Sequence, residues 1–194
     1  MEWNFVFFFN SIMLGVGLAM DAFSVSLANG LNEPQMKGSR MLTMAGVFAA
    51  FQGAMPLIGW ICVHTVVQYF SAFEKLIPWI ALVLLCYIGG KMLYDGIKNK
   101  DDGEEKPGVG FLALVVQGIA TSIDALSVGF TIADYDLVSA VLAALIIAVV
   151  TFIICMAGLV IGRQAGTRLA GKAGIFGGAI LIFIGLEIFI TGVF

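Results

Sequence analysis

The chain alternates long apolar runs with short polar breaks. Six runs, residues 4–29, 41–63, 76–97, 109–133, 137–161 and 174–194, each approach or exceed the roughly 20 residues that carry a helix across a bilayer. The breaks hold the turn formers: Asn29-Gly30 with Pro34, Pro78 in the opening turn of the third run, and Gly103 to Gly110 around Pro107. The pattern predicts an all-α polytopic membrane protein of six transmembrane helices. The first run is not a cleavable signal, because it is too long and its Met-Glu-Trp flank carries no base. Composition agrees: 60% of the 194 residues are hydrophobic and 12% are charged. With a mean hydropathy of +1.03, a soluble domain of this size could not bury its apolar surface.

Charge sets the expected orientation. Of ten Lys and Arg, Lys37 and Arg40 fall in the first break, Lys98, Lys100 and Lys106 in the third, and Arg163, Arg168 and Lys172 in the fifth. Lys91 lies inside the third run near the same side, and only Lys75 falls in an opposite break. The excess of bases puts breaks one, three and five in the cytoplasm and both termini outside the plasma membrane. The acidic run at 101–105 reads as a solvated linker. Cys62, Cys86 and Cys155 lie in apolar runs without CxxC spacing and read as small buried hydrophobes. His64, the single histidine, stands at a helix end, so a histidine-built zinc site has no support.

The chain repeats itself. AMDAFSVSL at 19–27 aligns with SIDALSVGF at 122–130, which sets Asp124 on Asp21 (124 − 21 = 103) and Ser127 on Ser24. Gly59 aligns with Gly158, and YIGGKMLYDG at 87–96 with FIGLEIFITG at 183–192. The expected organisation is a three-helix repeat over 1–97, a cytoplasmic linker over 98–108 and a second repeat over 109–194. Three is odd, so the copies are inverted relative to each other, an architecture that places transporter substrate sites near the midplane at the repeat interface.

An aspartate inside a membrane helix costs roughly 2.5–3.5 kcal/mol on insertion scales, and neither Asp21 nor Asp124 has a base within a turn of its helix. Straight helices would leave their Cα atoms about 11 Å apart in depth. The side chains lean toward each other, and unwinding at Asn29-Gly30 or Gly129 would close more of the gap. One shared site and two stations in series both fit. Gln117, Thr121, Asp124 and Ser127 share one face of a straight fourth helix, as Asp21 and Ser24 do in the first, with Asn29 near its end. Ser24, Ser127 and Thr121 read equally as ligands and as helix-packing hydroxyls. Pro56 frees the carbonyl of Gln52 beside that residue's amide, so Gln52 reads as a ligand or as part of a kink. Lys91 and Glu187 hold equivalent repeat positions but lie at depths too different to pair. Lys91 is expected to snorkel, and Glu187 stands as a further proton or ion station.

MDAFSVSLANG, FQGAMPLIGW at 51–60, YIGGKMLYDG and ATSIDALSVGF at 120–130 together resemble the MntP family of bacterial manganese exporters, over essentially the whole chain. The resemblance implies a multi-pass protein of the cytoplasmic membrane that exports Mn²⁺, with the aspartates at 21 and 124 essential. The metal is then substrate rather than cofactor, the lipid bilayer is the other partner, and no cofactor or nucleic acid is expected. The donor chemistry agrees, since carboxylate, carbonyl and hydroxyl oxygens suit Mn²⁺, Mg²⁺ or Ca²⁺ better than Cu⁺ or Zn²⁺. Met20 or Met55 could add a softer ligand, though core filling is the commoner use of Met. Export of Ca²⁺, Cd²⁺ or Fe²⁺ and a non-transport assembly or sporulation role are the alternatives. An enzyme is not expected. An intramembrane aspartyl protease also buries two acids, but Thr121-Ser122-Ile123-Asp124 stands where such enzymes carry GxGD. No GxxxxGK[ST] loop is present, so two carboxylates binding either one metal ion or protons point to proton antiport.

Overall fold

The computed structural model describes residues 4–65, 77–98, 109–168 and 173–193. Seven helices account for nearly all of them: α1 (Phe5–Asn32), α2 (Gly38–Thr65), α3 (Ile77–Lys98), α4 (Phe111–Thr121), α5 (Ile123–Thr131), α6 (Leu137–Arg168) and α7 (Ala173–Val193). No strand occurs among the described residues. Three helices (α1, α2 and α6) are long and apolar enough to cross a membrane, and the bent pair α4–α5 makes a fourth if it is one span. Of the linker 98–108, residues 99–108 with the acidic run lie outside the described residues, as do the bases Lys75, Lys100, Lys106 and Lys172.

The helix ends follow local chemistry. Asn4 caps α1 by accepting the Phe7 N–H at 3.0 Å. Asp136 does the same for α6: it takes the Ser139 hydroxyl at 2.7 Å and the Ser139 N–H at 3.4 Å. The Ser139 hydroxyl bond is the main reason this exposed carboxyl is held below its ordinary range. The cap is therefore fully present above the ordinary carboxylate range and weakens as pH falls through the lowered value.

Two expectations change. The run 109–133 is not one straight helix, because α4 stops at Thr121 and α5 leaves at 44° after Ser122. The Thr121 hydroxyl donates to the Gln117 carbonyl at 2.9 Å, and the Ser122 hydroxyl to the Gly118 carbonyl at 2.7 Å. Adjacent hydroxyls bonding back onto the preceding turn compete with the helix ladder and bend it. By contrast, α1 runs unbroken through Asn29-Gly30, and α5 through Gly129. The fifth run also extends past residue 161, because the helix continues two turns beyond the apolar stretch to Arg168. Positive side chains are favourable at a helix C-terminus, and hydropathy marks where lipid ends rather than where a helix ends.

Packing is tightest along glycine contacts. α1 meets α6 where Gly30 and Gly162 face each other, and Gly158 lies against the Phe23 carbonyl and Ser26. α2 meets α5 where Gly59 lies against the Leu126 carbonyl and Gly129. α3 meets α7 through Gly89 and Gly178. Phe48, Met44, Leu159 and Leu181 fill the main core, with Cys155 buried among them. The three cysteines are free thiols, but only Cys155 is buried as expected, and Cys62 and Cys86 are half-buried.

Candidate functional site

The break at Ser122 sets the site. Ending α4 three residues before Asp124, at Thr121, puts that carboxylate in the first turn of α5, where its Oδ1 accepts the Ala125 N–H at 2.9 Å. Negative charge is favourable at a helix N-terminus. Asp21 sits in the middle of unbroken α1, half-buried, and its charge acts directly on that of Asp124. Two acids separated by 103 positions (124 − 21) are thus brought within electrostatic reach.

Their predicted neighbours divide. Ser24 is half-buried and donates back to the Met20 carbonyl at 3.0 Å, and Ser127 is exposed. Thr121 is buried, with its hydroxyl committed to Gln117 and Gly118. The bend splits the face expected for the fourth helix: Gln117 and Thr121 turn into the core, whereas Asp124 and Ser127 are exposed. Lys91 is exposed on α3, and the Glu187 side chain lies outside the described residues. Gln52 is fully buried and reaches both aspartate-bearing segments, donating to the Leu18 and Thr121 carbonyls at 2.8 Å each. Among the described residues no three His, Cys, Asp or Glu gather into a metal cage.

On one side of the acids lies an open cavity of about 530 Å³, lined by Asn10, Leu14, Gly17, Leu18, Val128 and Ile132 among others. Asp21 stands one turn beyond Gly17 on α1, and Asp124 one turn before Val128 on α5. On the other side, Asn29 of α1 and Gln117 of α4 exchange amide hydrogen bonds at 2.8 and 3.3 Å, both fully buried. Beyond them is the basic end of the bundle. There Arg40 pairs with Glu33 at 2.9 Å and donates to the Val109 carbonyl at 2.7 Å, and Arg163 donates to the Met36 carbonyl at 3.3 Å. Along the chain Asn29 and Gln117 stand out only as polar neighbours of the acids. Their partnership spans 88 positions and left no local signal.

Comparison with known proteins identifies the family. Residues 35–189 match the sequence model of the family described as "Putative manganese efflux pump". A relative from Clostridium botulinum (strain Loch Maree / Type A3), named "Putative manganese efflux pump MntP", is 41% identical, the alignment covering 92% of each chain. A relative of the same name from Ruminiclostridium cellulolyticum is 40% identical over 94% of this chain and 95% of its own, and one from Clostridium perfringens (strain SM101 / Type A) is 37% identical over 94% of both. No solved structure matches. These relatives are named as pumps rather than enzymes, and the chain belongs to the MntP family of manganese efflux pumps.

Proposed function

We propose that the chain exports Mn²⁺ from the cytoplasm by proton antiport, with Asp21 and Asp124 forming one shared ion site between two inverted three-helix repeats. The observation that carries this reading is that Asp21 and Asp124, the equivalent acids of the two repeats, each stand one turn from a residue lining the same cavity, Gly17 on α1 and Val128 on α5. Two carboxylates offset the charge of one divalent ion at membrane depth, and oxygen donors suit Mn²⁺. Ser24, one turn beyond Asp21 on α1, and Ser127, one turn after Asp124 on the cavity side of α5, offer hydroxyl ligands. Glu187 is proposed as a separate ion station.

The repeat reading, 1–97 and 109–194, is supported by the glycine contacts. Gly59 packs on Leu126 and Gly129, and its repeat partner Gly158 packs on Phe23 and Ser26. Those pairs are related by the same offset as the aspartates (126 − 23 and 129 − 26 both give 103). With 22 and 21 residues, α3 and α7 are long enough to complete six spans. Arg40 and Arg163 gather at one end, which supports a cytoplasmic face there and outside termini.

Cavity and amide pair then describe one state of an alternating-access cycle. The site opens away from the basic end, and the Asn29–Gln117 pair closes it toward that end. The repeat equivalents of this pair are Leu14 and Ile132 (117 − 103 and 29 + 103), which line the open cavity. In a background lacking the native cysteines, a short thiol cross-linker joining Asn29→Cys to Gln117→Cys is expected to stop export, and its reduction to restore export. Unchanged export by the cross-linked protein would remove the pair from the inner gate.

Driving force tests the coupling. Moving a divalent cation outward against an inside-negative potential costs about 4.6 kcal/mol per 100 mV, twice the single-charge value. An exporter without a nucleotide-binding loop needs an entering ion, and two carboxylates exchanging one metal for two protons make the cycle close to electroneutral. Inverted vesicles with an imposed pH gradient are expected to accumulate Mn²⁺ and to release it on adding a protonophore. Accumulation that survives the protonophore but needs Na⁺ would rule for sodium instead.

A further inference from the structure

Gln52 of α2 holds a fully buried side-chain amide that bonds to α1 and to the last residue of α4, three residues before each aspartate. Its Nε2 has two hydrogens, and both are used, one on the Leu18 carbonyl of α1 and one on the Thr121 carbonyl of α4, each at 2.8 Å. Two carbonyls accept only from nitrogen, so the amide's orientation is fixed by its partners. Leu18 stands three residues before Asp21 and Thr121 three before Asp124, so the amide joins equivalent points of the two segments.

The contact has a local cause on each side. Thr121 ends α4, and the Ala125 N–H that would have continued its ladder bonds to the Asp124 side chain instead, which releases the Thr121 carbonyl. The Leu18 carbonyl lies in a continuous helix and uses its second lone pair. Gln52 Oε1 is left buried without a hydrogen-bond partner among the described residues, a costly arrangement that packing alone does not call for.

We propose that Gln52 is a positioning residue for the acid pair: its amide fastens the segments bearing Asp21 and Asp124 at one separation and so sets which divalent ions the pair accepts. The proposal rests on the reading that these two aspartates hold the ion. Mg²⁺ demands oxygens at about 2.0–2.1 Å in rigid geometry, and Ca²⁺ accepts about 2.3–2.6 Å in a looser shell. A fixed frame therefore selects among ions, and a loosened frame relaxes toward the ion with the more tolerant shell.

The test is calorimetric binding of Mn²⁺ and Ca²⁺ to purified protein in detergent, for Gln52→Met, Gln52→Asn, Asp21→Asn and Asp124→Asn. Met keeps the length and removes both hydrogen bonds, and Asn keeps the amide but is one methylene short of spanning the two carbonyls. Removing a group that orients metal ligands typically costs 10–100-fold in affinity. Mn²⁺ affinity in the Gln52 variants is expected to fall by about tenfold or more, with Ca²⁺ affected less, so that the preference for Mn²⁺ narrows. Folded Gln52 variants with the wild-type preference would overturn the proposal, as would a Gln52→Asn protein that fails to accumulate, since that marks a purely structural group. Wild-type Mn²⁺ binding in the aspartate variants would overturn the shared site instead, whatever the Gln52 variants do.

Discussion

Replacing Asp21 or Asp124 with Asn is expected to abolish manganese export while the protein still reaches the membrane in normal amount. Each carboxylate supplies half the charge that the proposed site sets against a divalent ion. At 4 Å and an effective dielectric of about 20, a unit charge attracts a unit charge by about 4 kcal/mol, and a divalent ion by about twice that. Losing even half of the doubled figure corresponds to roughly a thousandfold in affinity. Insertion moves the other way, because removing a charge from a membrane helix lowers a cost of about 2.5–3.5 kcal/mol. The two effects separate cleanly in a host lacking its own exporter. Mn²⁺ tolerance and cell manganese content should match the empty vector, while the amount in the membrane fraction stays at or above wild type. Normal tolerance in either variant would sink the shared-site reading.

Much of this arrangement was legible along the chain, for physical reasons. Hydropathy located the helices because lipid demands about 20 apolar residues wherever a helix crosses it. The acids stood out because an uncompensated charge in such a run is costly, and the repeat stood out because both copies carry their acid, serine and glycine in the same order. What hydropathy does not see is hydrogen bonding. The break at Ser122 comes from the hydroxyls of Thr121 and Ser122 taking the carbonyls of Gln117 and Gly118, and both residues sit in an apolar run that reads as continuous. An adjacent Thr-Ser pair shortly after Gly118 was the available signal. The extension of α6 to Arg168 was hidden for a related reason, since a helix that leaves the lipid stops being apolar without stopping being a helix. Gln52 was visible as a polar group beside Pro56, but its bridging role depends on residues 18, 52 and 121 meeting in space. No local pattern encodes that meeting.

The glycine contacts carry the other large effect. Gly59→Ala and Gly129→Ala are each expected to lower stability by roughly 3 kcal/mol, the upper end of the usual overpacking cost. A Cβ on Gly129 would stand 2.5 Å from the Pro56 carbonyl oxygen and 2.5 Å from the Trp60 nitrogen. A Cβ on Gly59 would press on the Leu126 carbonyl oxygen, with the Gly129 Cα at 3.1 Å. Both obstacles are backbone, so no rotamer change relieves them, and α2 and α5 must separate. In lipid there is no hydrophobic gain to hold helices together, and close backbone approach through small residues does that work. Separating α2 from α5 also pulls Gln52 away from the break before Asp124, so export should fail along with stability. Gly46 and Gly90 provide the control, because a Cβ at either meets nothing within 4 Å. There Ala should be neutral or slightly stabilising, since it favours a helix over Gly by up to about 1 kcal/mol. Thermal unfolding of detergent-purified variants, read beside Mn²⁺ tolerance, separates the two pairs. If Gly129→Ala melts with Gly46→Ala, the close contact of α2 with α5 is not what holds this half of the bundle.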